Sequence, residues 1–401
     1  MRVAVVGSGV AGLGAAYVLS QAHEVEVLEC EPRPGGHANT LLVDGLALDT
    51  GFLVHNERNY PLLGRLFREL GVETQETSMS FSVSCSHCGL EYSGRRPFAQ
   101  LRNAASVQFQ ALLWEIARWL RTARRSLDEQ DVETWSLARY LDEHRYTERF
   151  RRHFLVPLTS ALWSTAPGRA LELPAAYAIR FFDNHGMLGF RRFEWRSVVG
   201  GSRNYVDAIA DRLGGIRTAT PVRGIHRFAD GVLVRTDDDV LRSFDSVVVA
   251  THADQALRLL EDADDDERRV LGAFAYTQND AVLHTDSSLL PRTASARASW
   301  NYRLDGDRRP TVTYWLNSLQ RLDTETNYLL TLNEEIADEH VRARIRYRHP
   351  LFTVDTLAAQ AGLGALTRGR IAFAGAYHGN GFHEDGLASG IRAAAALGAR
   401  W

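Results

Sequence analysis

Residues 1–29, MRVAVVGSGVAGLGAAYVLSQAHEVEVLE, decide how the rest of the chain is read. The apolar run at 2–6 (RVAVV) predicts a buried strand, Ala11 to Gln21 predict a helix, and residues 24–29 (EVEVLE) predict a second strand. Between the first strand and the helix stands Gly7-x-Gly9-x-x-Gly12. The first glycine permits a tight turn, the second lets backbone approach a pyrophosphate, and the third lets the helix lie close to the strand. The helix N-terminus adds partial positive charge and free N–H groups for the phosphates. Glu29 ends the second strand 17 residues after Gly12, where a carboxylate can accept from ribose hydroxyls. A glycine triplet alone is a weak signal. With strand, helix and acid all in place it indicates a dinucleotide, without saying which one.

The segments around this unit narrow the choice. Arg33, Gly35 and Gly36 follow the second strand, and Asp49-Thr50-Gly51 comes soon after. The chain closes with RIAFAGAYHGNGFHEDGLASGIRAAAALGARW, a strand, a glycine-rich turn and a helix, with Gly375 to Gly390 in the turn and helix start. That offers a second helix N-terminus. A flavin uses two, one at its pyrophosphate and one at the electron-rich edge of reduced isoalloxazine, whereas NAD needs no second one. FAD is the expected cofactor, held noncovalently. GGSRNYVDAIADRL and SVVVAT supply similar pieces mid-chain. The expected organisation is a discontinuous FAD-binding domain (1–55, 196–255 and 365–401) with a substrate and cap domain (56–195 and 256–364) inserted into it.

Composition removes several alternatives. The formal net charge of −3 gives no basic field for nucleic acid. All 46 basic residues are arginine, so Schiff-base chemistry and a P-loop lysine are excluded. The cysteines are Cys30, Cys85 and Cys88; the last two form one CxxC around His87, with no second pair to complete a four-ligand zinc site. Two incidental thiols on a hairpin, and no metal, are therefore expected. No apolar stretch is long enough to span a bilayer, and the start lacks the features of a signal peptide, which places the chain in the cytoplasm. Phe109, Leu113, Ile116, Leu120, Ala123 and Leu127 recur at helical spacing, with Arg118, Arg121, Arg124 and Arg125 on the other side. The preferred expectation is a helix packed on its own domain. The alternative is peripheral contact with the inner membrane through Trp114 and Trp119. Residues 175–197 are rich in aromatics, including Tyr177, Phe181, Phe190 and Trp195.

With these residues in hand, the chain resembles the flavin-containing amine oxidase and phytoene desaturase superfamily. On GGHANT, LDTGF, NHGML, ATHADQAL, YWLN and GFHEDGL it is similar, more closely, to bacterial NAD/FAD-binding oxidoreductases encoded beside cyclopropane-fatty-acyl-phospholipid synthases. The resemblance implies an α/β fold: a glutathione-reductase-like FAD-binding domain with a Rossmann-type βαβ unit, an inserted α+β substrate domain and a helical cap. It implies cofactor contacts at Gly7, Gly9, Val10, Ala11, Gly12, Glu29 and Cys30 for the ADP half, and at Arg33, Gly35, Gly36, His37, Thr50 and Gly51 toward the flavin. Val222 would meet adenine through backbone. Gly375, Glu384, Asp385, Gly386 and Leu387 form the C-terminal motif, where Asp385 stands in place of the usual glycine and Ala376 in place of the usual acid. The lysine with which many such amine oxidases hold a water against flavin N5 is absent. That favours hydride exchange between flavin N5 and carbon in an apolar pocket, with a lipid acyl chain as the expected substrate. Trp163, Trp195, Asn301, Tyr314 and His378 are the expected substrate contacts, and His185, His383, Tyr314 and Asn317 the candidates for catalysis. The alternatives are amine oxidation, a non-redox isomerase, or an FAD-bearing accessory subunit partnering a lipid methyltransferase.

Overall fold

In the computed structural model the described residues are all except 130, 164–166, 189–192 and 306–309, so Phe190 lies outside them. A four-stranded parallel sheet is built from Ile371–Phe373, Ser246–Val249, Arg2–Val6 and Glu24–Leu28, in that order. The first strand is central, and the last strand of the chain closes one edge. The nucleotide-type segments from the start, middle and end of the sequence therefore meet in one sheet. Helix Val10–Leu19 is buried along its whole length. This follows from its all-round apolar surface, pressed between the sheet and the C-terminal helix His383–Ala396. The two helices meet through glycines. A Cβ on Gly14 would overlap Leu387, one on Gly386 would crowd Val10, and one on Gly390 would overlap the Ala11 carbonyl.

A seven-stranded sheet forms the second half, ordered Val341–Pro350, Tyr276–His284, Leu329–Leu332, Thr311–Trp315, Trp300–Leu304, Phe81–Cys85 and Glu91–Ser93. Its pairs are antiparallel except Trp300–Leu304 with Phe81–Cys85, which run parallel. Helices between 101 and 184 cover it over a core containing Trp119, Tyr140, Phe150 and Phe182. Among the described residues no helix is long and apolar enough to cross a membrane.

Two expectations shift. Helix Pro61–Leu70, assigned by sequence to the inserted region, packs Leu63, Leu66 and Phe67 into the core of the dinucleotide half, beside Leu19 and Ile209. Likewise Ala256, Val270, Leu271, Leu363 and Leu366 pack under the parallel sheet against Val247 and Phe373. Amphipathic helices carry no mark of which core they will join, so the linear boundaries at 56, 256 and 364 do not follow the packing. The long amphipathic helix, Val107–Thr122, is also turned from its expected face. It buries Phe109, Leu112, Glu115 and Trp119, while Leu113 and Ile116 are only partly covered and Trp114 is exposed. Glu115 can be buried because it accepts from the Thr147 backbone N–H at 2.9 Å and the Thr147 hydroxyl at 2.6 Å.

Candidate active site

One long cleft runs from the glycine turn, past the start of the C-terminal helix, into the inserted half. At its first end the wall is backbone. Gly7 leaves the strand at φ +98°, and a Cβ there would crowd the Ala250 carbonyl. A Cβ on Gly12 would overlap the Gly7 carbonyl, so that glycine sets the helix against the turn. Gly9 is different: nothing lies within 4 Å of where its Cβ would be. It begins helix Val10–Leu19 with no side-chain cap, leaving the first-turn N–H groups to a ligand. Gly36 packs directly beside it, close enough that a Cβ there would sit 3.2 Å from Gly9 Cα. A pyrophosphate fits this bare cradle.

Glu29 is buried beside the turn. It accepts from Ser8 N at 2.8 Å and Glu31 N at 2.9 Å, and from the Ser8 hydroxyl and Cys30 thiol. The backbone donors fix the carboxylate. The two side-chain hydrogens can rotate away in favour of ribose hydroxyls. Arg33 lies off the cleft wall and donates to the Gly36 carbonyl at 3.0 Å, bracing the loop. Thr50 bonds Asn39 O and the Tyr347 hydroxyl, and Phe52 N donates to His37 O, so the DTG segment lies along GGHAN. Asp49 accepts from Ser202 N and Oγ and from Thr40, and burial raises its pKa to about 6 against those hydrogen bonds.

At the middle of the cleft stands a group that sequence reading did not single out beyond His37. His37 stacks on Tyr347 at 4.7 Å and lies 5.2 Å from His349 and 6.4 Å from His252, centre to centre. Burial holds these imidazoles neutral: His37 well below its ordinary value, His252 and His349 at about 4. His37 Nε2 and His252 Nδ1 are buried without a hydrogen-bond partner and belong to cleft-lining residues. Such orphans are what a polar ligand edge would satisfy. A period-two reading of VRARIRYRHP would have found part of the group: Arg342, Arg344 and Arg346 are exposed, and Tyr347 and His349 fall in register with Val341, Ala343 and Ile345.

The far end is walled by rings and aliphatic side chains. Phe181 stacks on Phe382 at 4.8 Å and on His185 at 3.8 Å, Trp163 Nε1 donates to Tyr177, and Trp300 meets Tyr314 edge-on. Met79, Met187, Leu330 and Leu332 complete the lining, and Trp195 also reaches it. Glu29, at the opposite end, is the one carboxylate among the described lining residues. His185 Nδ1 lies 2.9 Å from the Phe181 carbonyl, which makes it the donor nitrogen, and burial lowers the ring's pKa. His383 opens the C-terminal helix, stacks on Phe52 at 4.0 Å and contacts the Tyr205 hydroxyl at 2.7 Å. Burial, with His55 nearby, brings it down to about 3.

The structure thus brings His185, His383, Tyr314, Trp163 and Trp195 to the cleft with Gly375 and the N-terminal motif. Several other candidates lie outside its wall. The Asn301 amide is committed to Ser82, Ala298 and Thr313, and Asn317 to Thr326 and Tyr328, so both hold loops and sheet together. His378 lies partly buried against Tyr377. Glu384 caps helix Pro61–Leu70 by accepting from Leu62 N and Leu63 N, and Asp385 caps its own helix at Phe382 N. Gly386 and Leu387 serve helix packing, and Val222 lies partly buried beside the core under the parallel sheet.

Comparison with known proteins agrees with this layout. The sequence pattern of the flavin containing amine oxidoreductases matches residues 10–292. AofH of Mycobacterium tuberculosis, designated a flavin-containing monoamine oxidase, is 30% identical over 247 residues, covering 59% of this chain and 53% of its own. The chain spans about half the length of the curated relatives it matches. The whole fold superimposes on cyclohexylamine oxidase from Brevibacterium oxydans with a TM-score of 0.69 at 18% identity, covering 99% of this chain and 98% of that one. It also superimposes on a CLA-producing fatty acid isomerase from P. acnes, with a TM-score of 0.67 at 16% identity, covering 97% of this chain and 96% of that one.

Proposed function

Since the chain belongs to the flavin containing amine oxidoreductase family, we propose that it is an FAD-dependent oxidoreductase whose substrate is apolar, a lipid acyl chain. The bare glycine cradle, the buried Glu29 and the orphaned His37 and His252 nitrogens fit FAD. When bound, FAD would supply hydride exchange with substrate carbon. The observation that carries the substrate class is the far wall: aromatic and aliphatic, with no carboxylate among its described residues to pair with an ammonium. A long chain binds such a wall by burial alone, at about 0.8 kcal/mol per CH₂. His185, neutral and donating through Nδ1, keeps Nε2 as a lone pair able to take a proton. Phe181 and Phe382 pack against its ring. The fatty acid isomerase likeness supports room for an acyl chain in this fold, and a non-redox isomerisation at the same wall is the second reading.

The test uses the purified full chain with bound flavin, under anaerobic conditions. Phospholipid vesicles with unsaturated or cyclopropanated acyl chains should perturb the flavin spectrum, and short amines should not. Bleaching by polyamines or aromatic amines, with no response to lipid, would overturn the lipid assignment. Conversion of lipid without net flavin reduction would select the isomerase.

A further inference from the structure

The CxxC of the sequence gains a third partner from the fold. Cys85 ends strand Phe81–Cys85, and Cys88 lies in the turn leading to strand Glu91–Ser93, held where Cys85 N donates to Leu90 O. His153 arrives from 65 residues away, in a π-helical turn at Arg151–Leu155. One ligand atom from each of Cys85, Cys88 and His153 lies within 4.8 Å of the other two. Cys88 Sγ is 3.5 Å from His153 Nε2. A tetrahedral zinc with its usual bond lengths spans about 3.6 Å between a sulfur and a nitrogen ligand. The other imidazole nitrogen, Nδ1, lies 3.2 Å from the Arg149 carbonyl, which fixes the proton there and leaves Nε2 as the lone pair facing the thiol. The Tyr92 hydroxyl donates to the His153 carbonyl at 2.6 Å, tying the helical turn to the hairpin. Cys85 and His153 are buried and Cys88 is exposed, so a fourth position on the Cys88 side is open to water.

We propose that Cys85, Cys88 and His153 bind a borderline-soft divalent cation, zinc by this donor set. Two sulfurs and an imidazole nitrogen at C-x₂-C spacing suit zinc and not a hard oxygen-seeking cation. Binding releases the two thiol protons to solvent and leaves both sulfurs as thiolates. The site stands apart from the cleft. It clamps the outer hairpin of the seven-stranded sheet to the turn that leads into helix Val156–Trp163, which carries Ala161, Leu162 and Trp163 into the far wall. Its occupancy therefore stiffens that wall, and π-helical turns are common at such functional sites. The inference does not depend on the flavin or on the substrate.

The experiment is metal analysis of the purified full chain, kept reduced and dialysed against metal-free buffer after loading with one equivalent of zinc. About one zinc per chain is expected in the wild type, and less than a tenth of that in Cys88→Ser and His153→Gln. Cys88 is exposed, so Cys88→Ser should fold, and an unchanged metal-free denaturation midpoint would show that it does. Cobalt added in place of zinc should give tetrahedral visible bands in the red, beyond flavin absorption, in the wild type alone. A wild-type chain that retains no zinc and gives no such bands overturns the proposal. Full retention by both variants overturns it equally.

Discussion

At one end of the cleft the wall is backbone: Gly7, Gly9, Gly36 and Gly375, with a single buried acid, Glu29. At the other it is side chains: Trp163, Phe181, Trp300, Tyr314 and Phe382, drawn from separate parts of the chain. Backbone walls tolerate no added atoms where they are closed and lose only a ligand where they are open. Side-chain walls lose packing and shape by degrees. A substitution at the first end should therefore be all-or-none or purely a matter of cofactor, and one at the second end graded.

The harshest test of that contrast is Gly12→Val. Its Cβ would overlap the Gly7 carbonyl and approach Ala250, both held at strand ends by backbone bonds from Gly7 N to Leu28 O and from Ala250 N to Val6 O. Overpacking costs about 1–3 kcal/mol where side chains can shift and more where backbone blocks the way, so denaturant melts should show a large loss of stability. A variant with wild-type midpoint would mean that the turn is soft and the contrast false.

Acidification should act next most strongly, and at the middle of the cleft. Buried imidazoles with folded pKa near 4 (His252, His349) or 3 (His383) bind fewer protons than the unfolded chain between about pH 6.5 and 4. The stability they contribute is present above pH 6.5 and lost as pH falls through that window. Asp49, raised to about 6, has the opposite sign, gaining stability as pH falls, but it is one carboxyl against several rings. Stability and flavin retention should fall together from pH 6.5 to 4. A flat profile would show that these histidines are accessible and protonate in place.

Two substitutions at the first end separate cofactor from fold. Glu29→Gln should weaken FAD by about ten- to a hundredfold, the worth of a charged hydrogen bond, read by flavin release on dilution. Gly9→Ala adds a Cβ that touches no protein atom, so its melting temperature before flavin is added should stay at the wild-type value while flavin affinity drops about tenfold. Equal flavin retention in wild type and Gly9→Ala would place the pyrophosphate elsewhere. The smallest effect is expected at the far end. Tyr314→Phe removes one hydroxyl from a packed ring and should change stability by about 1 kcal/mol and leave flavin affinity unchanged. Its effect should appear in KM and kcat for the substrate. A drop in flavin content there would blur the two ends into one.

The amino-acid sequence by itself determined the dinucleotide end. Gly7, Gly9, Gly12 and Glu29 lie within one βαβ unit, and what they do is a local property of backbone, so spacing alone announces it. The same locality failed for Asn301 and Asn317, whose amides are taken by nearby carbonyls and N–H groups that no spacing rule reveals. It failed for Glu384, which serves a helix 322 residues away in sequence. Only the tertiary structure decided the histidine group, the aromatic wall and the joining of His153 to the CxxC. Each is assembled by sheet register and helix packing between distant segments; alternation over 341–350 puts Tyr347 and His349 on one face, but nothing in the chain marks the His37 and His252 they meet there.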